Sequence, residues 1–370
     1  MKKIIALLLA AILVFTLAAC GKKEAAPATT PAQSSGTSSS GSSSSGSSAS
    51  SGSQSAAAAS DHLLDKPMTF KVSFTENPDT AVGQIMPPAF EKISEMTNGD
   101  LLFEIYPSSQ LGTNTEVMEQ ITNGAPIIGA AGYDNMSAFV ESCIPYAIPY
   151  VFENTDEVCA FAKTAAFESL AQDMTAAGYV PISSGTLGVR HFISTFEITK
   201  AADVKGHIMR MGAANPCQSF ITVMGGSPAT SAWADNYSML QSGQIESCEA
   251  SIDLLWSSSL YEVCDYLCLS GHLSTPFMYV MSPDFWNQIP GEYQKIIKDV
   301  MSDATAELAA KLNGDASGYV QKFKDAGTKV CENPDIASFT SYLPALFDYL
   351  NIPTSKYDEI RKSIDEAMKN

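Results

Sequence analysis

Arginine is scarce in this chain. Of its 22 basic residues only Arg190, Arg210 and Arg361 are arginine; the rest are lysine. Arg190 and Arg210 lie close together, in Gly188-Val189-Arg190-His191-Phe192 and Lys205-Gly206-His207-Ile208-Met209-Arg210. A guanidinium offers a planar fork of donors that grips a carboxylate with two parallel hydrogen bonds, whereas an ammonium is a point charge. A chain that otherwise relies on lysine keeps arginine where the fork is needed. Apolar residues flank both arginines, as they would flank strand positions. Two readings follow: a clamp for an anionic ligand, or two structural ion pairs.

The charge balance sharpens the first reading. Forty acidic residues leave a formal charge of −18, so an anion is repelled at a distance and needs a well-placed local cation. With no basic block in the folded part, nucleic acid is not an expected partner. The histidines at 62, 191, 207 and 272 are scattered, and no pair has helical ligand spacing. Only His191, next to Arg190, merits a test. Besides Cys20, cysteines stand at 143, 159, 217, 248, 264, 268 and 331, an odd set without a C-x-x-C pair. No metal site is expected from them, and they suit the role of small buried hydrophobes. Neither G-x-S-x-G nor H-E-x-x-H occurs. No enzyme activity and no cofactor are expected.

The elements that must position these residues begin with an export signal. Lys2 and Lys3 precede a mostly apolar run over residues 4–17, too short for a permanent membrane span, which ends in Leu17-Ala18-Ala19-Cys20. This end resembles the lipobox of bacterial lipoproteins, which implies cleavage before Cys20 and a diacylglycerol on its thiol. Residues 21–60 are almost wholly Ser, Gly, Ala, Thr, Pro and Gln. They cannot offset the entropy of ordering and read as a flexible tether. A strand over 69–74, a helix over 81–97, a strand over 101–106, a helix over 116–122 and a strand over 127–131 give a β-α-β-α-β rhythm, hence a parallel sheet flanked by helices. The rhythm returns with a helix over 155–177, strands near 179–183, 189–193 and 205–211, and helices near 216–224 and 237–242. Two α/β lobes of this kind place a ligand cleft between them. Residues 291–312 and 356–370 read as long amphipathic helices.

Residues 68–335 resemble the solute-binding proteins of tripartite ATP-independent periplasmic (TRAP) transporters, the DctP family. The resemblance rests on Asn98-Gly99-Asp100 through Gln110-Leu111-Gly112 with Glu116 and Gly124; on Gly188-Val189-Arg190 followed by Ala202 to Arg210; on Pro228, Trp233-Ala234-Asp235-Asn236-Tyr237, Gln241, Gly243 and Glu249; and on His272 with Phe285-Trp286-Asn287-Gln288-Ile289-Pro290. It implies an α/β, two-lobe periplasmic-binding-protein-like fold with the ligand cleft between the lobes and long C-terminal helices. It also implies ligand-binding roles. Arg210 grips the carboxylate of a small organic acid, Arg190 assists or tunes selectivity, and Trp233 stacks on the ligand. Asn114, Tyr133 and Glu249 complete the expected set. Ala250 stands where many members carry an asparagine that helps hold the carboxylate, which puts a simple dicarboxylate or sialic acid in doubt.

The expected organisation is a signal peptide over 1–19, then a lipidated Cys20 with a tether to residue 66. Lobe I takes 67–187 with about 276–315, and lobe II takes 188–275 with about 316–370. The expected function is an extracytoplasmic receptor, anchored to the bilayer through acylated Cys20, that delivers its acid to TRAP membrane subunits. A binding protein for an ABC importer, or a sensor for a signalling partner, would use the same features.

Overall fold

The structure is a computed structural model that describes residues 62–212 and 215–369. The expected signal peptide, Cys20 and the tether up to residue 61 lie outside the described residues. The tether was expected to run to residue 66, but folded structure begins earlier. The Asp100 carboxylate accepts hydrogen bonds from the N–H groups of Leu63 and Leu64, at 2.8 and 3.1 Å, and lies 2.7 Å from His62 Nδ1. Tyr293 donates to the same carboxylate at 2.7 Å.

Among the described residues ten strands form one sheet: β1 Met68–Ser73, β2 Leu101–Tyr106, β3 Ile127–Gly132, β4 Val180–Pro181, β5 Gly185–Ser194, β6 Ile208–Arg210, β7 Ser227–Ala229, β8 Ser247–Ser251, β9 Tyr266–Met281 and β10 Lys329–Cys331. Their order is β2-β1-β3-β9-β5-β8-β6-β7, with β4 and β10 also pairing β9. The first β-α-β-α-β unit is as expected: β1 pairs β2 and β3 in parallel. Strands β6, β7 and β8 form a second parallel set. The sheet as a whole is mixed rather than parallel, because β9 runs antiparallel to both β3 and β5.

Strand β9 is absent from the sequence reading, and it carries Gly271 and Pro276, residue types that usually interrupt strands. In the structure its Phe277–Met281 end pairs β3, while its other end pairs β5 and β10. It therefore ties the two parallel sets into one sheet. Strand β5 departs from regular pairing with β9 at two places, between Thr186 and Val189 and between Arg190 and Phe192. Gly188 meets the first with φ +85°, a conformation that a side chain rarely adopts. Such irregularities bend a strand and re-aim its side chains.

The expected helix over 155–177 is two helices, Thr155–Phe161 and Ala165–Ala176. Thr164 ends the continuity, because its hydroxyl accepts from the Phe167 N–H and caps the second helix. The helix expected over 291–312 continues instead to Asp325. Gly314 and Gly318 suggest a stop, but each costs only about 1 kcal/mol in a helix interior. Both face open space, and the helix is carried through by packing. Its first half packs on Ala81–Met96, and Phe323 near its end lies in the core around β8 and Ile252–Ser257. The last helix, Thr354–Ala367, docks on Thr155–Phe161. Arg361 donates to the Val151 carbonyl at 3.0 Å and to Glu157 at 3.1 Å. One apolar core joins Tyr133, Phe161 and Leu170 to Phe192, Phe220, Phe339 and Ile364. The seven described cysteines are unpaired, and Cys143, Cys217, Cys248, Cys264 and Cys268 are buried.

Candidate functional site

The carboxyl ends of both parallel sets converge on one cavity of about 590 Å³. Thr75 and Glu76 follow β1, Asn114 and Thr115 come after β2, and Asp134 and Asn135 follow β3. Arg210, with Ser231 to Trp233, comes from the ends of β6 and β7. Crevices at the carboxyl ends of parallel strands are where open α/β sheets bind ligands.

Local chemistry fixes each contributor. Asn114 opens the helix Asn114–Thr122, whose N-terminus is closed by a reciprocal cap between Thr113 and Glu116. Its side-chain carbonyl accepts from the Thr75 hydroxyl at 3.1 Å. Asp134 follows Gly132, where a Cβ would stand 2.1 Å from its carboxylate oxygen; glycine is needed there to let the carboxylate fold back.

The two cavity arginines differ sharply. Arg190 lies between the two irregularities of β5. Its Nε and Nη2 both engage the Glu249 carboxylate, Nη2 at 2.6 Å, and Nη2 also reaches the Glu249 carbonyl at 3.2 Å. Burial would pull this guanidinium down, but Glu249 holds it above the ordinary arginine value. Burial alone would raise Glu249; the charge of Arg190 and the bonds from His272 and Arg190 outweigh it and hold the acid at about 2. His272 Nε2 lies 3.4 Å from Glu249, with its ring stacked on Phe192 at 4.2 Å.

Arg210 has no such partner. It is 7% exposed. Its Nε donates to the Ser231 hydroxyl at 3.3 Å and its Nη2 to the Ser231 carbonyl at 2.9 Å. Among the described residues no carboxylate lies within ion-pair distance of it. Burial pulls its pKa below the ordinary value, opposed mainly by the field of Glu249. The Trp233 ring lies 5.4 Å from the guanidinium carbon, with its indole N–H fixed on the Ser258 hydroxyl at 3.1 Å. Arg210 is thus a fork already aimed, with its free edge and charge toward the cavity.

Of the expected ligand-binding residues, Arg190, Arg210, Trp233 and Asn114 line this cavity. Glu249 and Tyr133 do not. Glu249 is buried behind Arg190, which it grips, and its charge also reaches Arg210. Tyr133 packs against Tyr146 and Phe161 in the core and bonds the Ser184 hydroxyl at 3.0 Å, because β3 delivers it to the interior side of the sheet end. His191 is also away from the cavity, its Nδ1 accepting from the Gly271 N–H at 3.2 Å, and burial pushes it down to about 3. The sequence reading missed Glu76 and Asp134, both cavity-lining and nearly fully buried. Asp134 adjoins the flagged Tyr133. Glu76 lies in Thr75-Glu76-Asn77-Pro78, which reads only as a turn.

This arrangement, two α/β halves around a cavity with an aimed and unpaired guanidinium, defines a ligand-binding protein for a small anion. The chain belongs to the DctP family, bacterial extracellular solute-binding protein family 7, which it matches over residues 75–351. It is 24% identical to the C4-dicarboxylate-binding periplasmic protein DctP of Vibrio cholerae, over 66% of this chain and 74% of that one. A TRAP periplasmic solute-binding protein of Actinobacillus succinogenes, solved with bound L-galactonate, is 25% identical with a TM-score of 0.77, covering 81% of this chain and 100% of that one. A second, from Fusobacterium nucleatum with bound sn-glycerol-3-phosphate, is 24% identical with a TM-score of 0.76, covering 82% and 99%.

Proposed function

We propose that this protein is an extracytoplasmic receptor that captures a small organic acid by its carboxylate and delivers it to TRAP-type membrane subunits. One observation carries the reading: Arg210 is a buried cation whose fork has no carboxylate partner among the described residues. A buried charge without a counter-charge is costly. A ligand carboxylate supplies the charge and the two-point geometry together. Arg190, neutralised by Glu249, offers its remaining surface as a second donor without adding net charge. Ala250, opposite His191 on β8, supplies no amide to the cavity wall, so the carboxylate rests on Arg210 with its Ser231 and Trp233 surroundings.

Family membership and the acid-bound neighbour support this reading. The two halves share β5 and β9, and we assign lobe closure to these strands at their irregular positions near Gly188 and Gly271. A ligand bridging Arg210 and the β1–β3 ends favours the closed arrangement by its greater affinity for it. The test is a thermal-shift screen of the mature protein against organic acids. An acid present at a hundred times its Kd raises stability by about 2.7 kcal/mol. Stabilisation by neutral sugars but by no acid would remove the carboxylate reading.

The same proposal includes anchoring. Leu17-Ala18-Ala19-Cys20 motivates cleavage before Cys20 and its acylation, since two acyl chains on one residue hold a protein stably at a bilayer. Cys20→Ser is expected to leave unprocessed precursor that keeps residues 1–19 and carries no acyl chain, read by mass on the isolated protein. A wild-type N-terminus at another residue, without lipid, would contradict it.

A further inference from the structure

The cavity holds more negative than positive groups. Two guanidiniums, Arg190 and Arg210, face three carboxyls, those of Glu76, Asp134 and Glu116. Glu116 is absorbed by the helix cap, accepting from the Thr113 N–H at 2.7 Å. Arg190 is absorbed by Glu249. That leaves Arg210 as the unmatched cation and Glu76 and Asp134 as unmatched acids.

Glu76 is 8% exposed and Asp134 3% exposed. Neither lies within ion-pair distance of a lysine or arginine among the described residues. No side chain among the described residues donates to Glu76; the contacts of its carboxyl are with backbone N–H groups of Thr75 and itself. Asp134 accepts only a long bond from its neighbour Asn135, at 3.3 Å, apart from backbone contacts. Behind Glu76 stands Asp253, which caps the Ala81 N–H at 3.3 Å and has its second oxygen buried and unbonded. A dicarboxylate seated on Arg210 would turn its second carboxylate toward this acidic side, where no unpaired cation waits. A ligand cation would meet two carboxyls that lack one.

We infer that the cavity takes a zwitterion: an acid whose carboxylate goes to Arg210 and whose cationic nitrogen is held by Glu76, with Asp134 adding to the negative field. The inference rests on the carboxylate reading above and names the class of acid. Glu76, not either arginine, then decides which acids are accepted.

The charge state of Glu76 gives this a signature. Burial pushes its carboxyl up to about 7, helped by Asp253 on Ile252–Ser257 and opposed by Arg190 on β5; Tyr279 on β9 faces it as a neutral phenol. Near neutral pH Glu76 is therefore close to half protonated. A ligand ammonium binds the ionised form and expels the proton. A ligand carboxylate there needs the protonated form and takes a proton up. Zwitterion affinity should rise with pH up to about 7, by as much as about tenfold per unit, and level off above it, while dicarboxylate affinity should hold below about 7 and fall above it.

The experiment is calorimetry on the mature protein with three matched series of four, five and six carbons. Each series contains the ω-amino acid, the ω-hydroxy acid and the dicarboxylate. The amino acid of at least one series is expected to bind ten times or more tighter than its two partners, with proton release when measured in two buffers of different ionisation enthalpy. Glu76→Gln should erase that advantage and the pH slope, bringing the amino acid to within about threefold of the hydroxy acid in the same variant. Asp134→Asn should reduce the advantage without abolishing it. Tightest binding by a dicarboxylate or hydroxy acid, or an amino-acid preference that survives in Glu76→Gln, overturns the zwitterion inference and leaves the carboxylate receptor standing. Binding by no member of any series counts against both.

Discussion

Arg210→Ala is expected to abolish most acid binding while leaving the fold as stable as wild type or slightly more so. The two halves of that result come from one fact: Arg210 is buried and without a carboxylate partner among the described residues. A ligand carboxylate that loses its guanidinium is left desolvated, and removing one member of such a pair costs about 2–5 kcal/mol. That corresponds to roughly 30-fold to several thousandfold in Kd. Without ligand, the protein has only the hydrogen bonds to Ser231 and the contact with Trp233 to lose, set against relief from holding an uncompensated cation in the interior. Arg210→Lys should also lose much of the affinity, since the charge stays but the fork goes. Titration of one acid into wild type and both variants, with urea unfolding in parallel, checks both halves. Near-native affinity in a folded Arg210→Ala would return Arg210 to a structural role.

Scarcity of arginine made the site partly legible, because each arginine does what lysine cannot. Arg190 spans both oxygens of Glu249, Arg210 uses two donors on one edge of its fork on Ser231, and Arg361 joins Glu157 to the Val151 carbonyl. The clamp and ion-pair readings were posed as alternatives, and the structure divides them: Arg190 is ion-paired, while Arg210 is not. What spacing could not reveal is depth. Tyr133 directly follows a strand that reaches the cavity, yet its neighbours Tyr146 and Phe161 arrive from later segments and draw it inward. Glu76 sits in a turn-forming sequence, and the groups that surround its buried carboxyl come from distant segments, Asp253 on Ile252–Ser257, Arg190 on β5 and Tyr279 on β9. Strand β9 went unread, and its Gly271 and Pro276 give no local strand signal. The long-range pairing that carries the strand through them lies some ninety residues away on β5. Local signals placed the β1–β3 unit because its pairings are those of a compact β-α-β-α-β unit.

Glu249 should behave oppositely to Arg210. Glu249→Ala is expected to cost about 3–5 kcal/mol of stability, the usual consequence of removing one partner of a buried ion pair. Such a loss is a large share of the 5–15 kcal/mol that typically holds a domain folded. The carboxylate is 1% exposed, holds Arg190 through two oxygens and orients His272 from the other side. Its removal strands the Arg190 guanidinium, itself only 15% exposed. Glu249→Gln keeps the shape and separates charge from packing. In that variant the charge of Arg190 is no longer neutralised and adds to that of Arg210, so acids should bind as tightly as in wild type or tighter, in a less stable protein. Acid unfolding supplies an independent check. Glu249 is held at about 2, below its ordinary value of 4.5, by Arg190 and His272 against the cost of burial. Its contribution is therefore complete above pH 4.5 and fades as pH falls toward 2. Urea midpoints of wild type and Glu249→Gln should differ most at pH 7 and draw together by pH 3. A gap that stays constant between those two values would mean that the stability comes from packing around Glu249 rather than from its charge. A fall in acid affinity in folded Glu249→Gln would mean that Arg190 binds ligand only while Glu249 holds it in place.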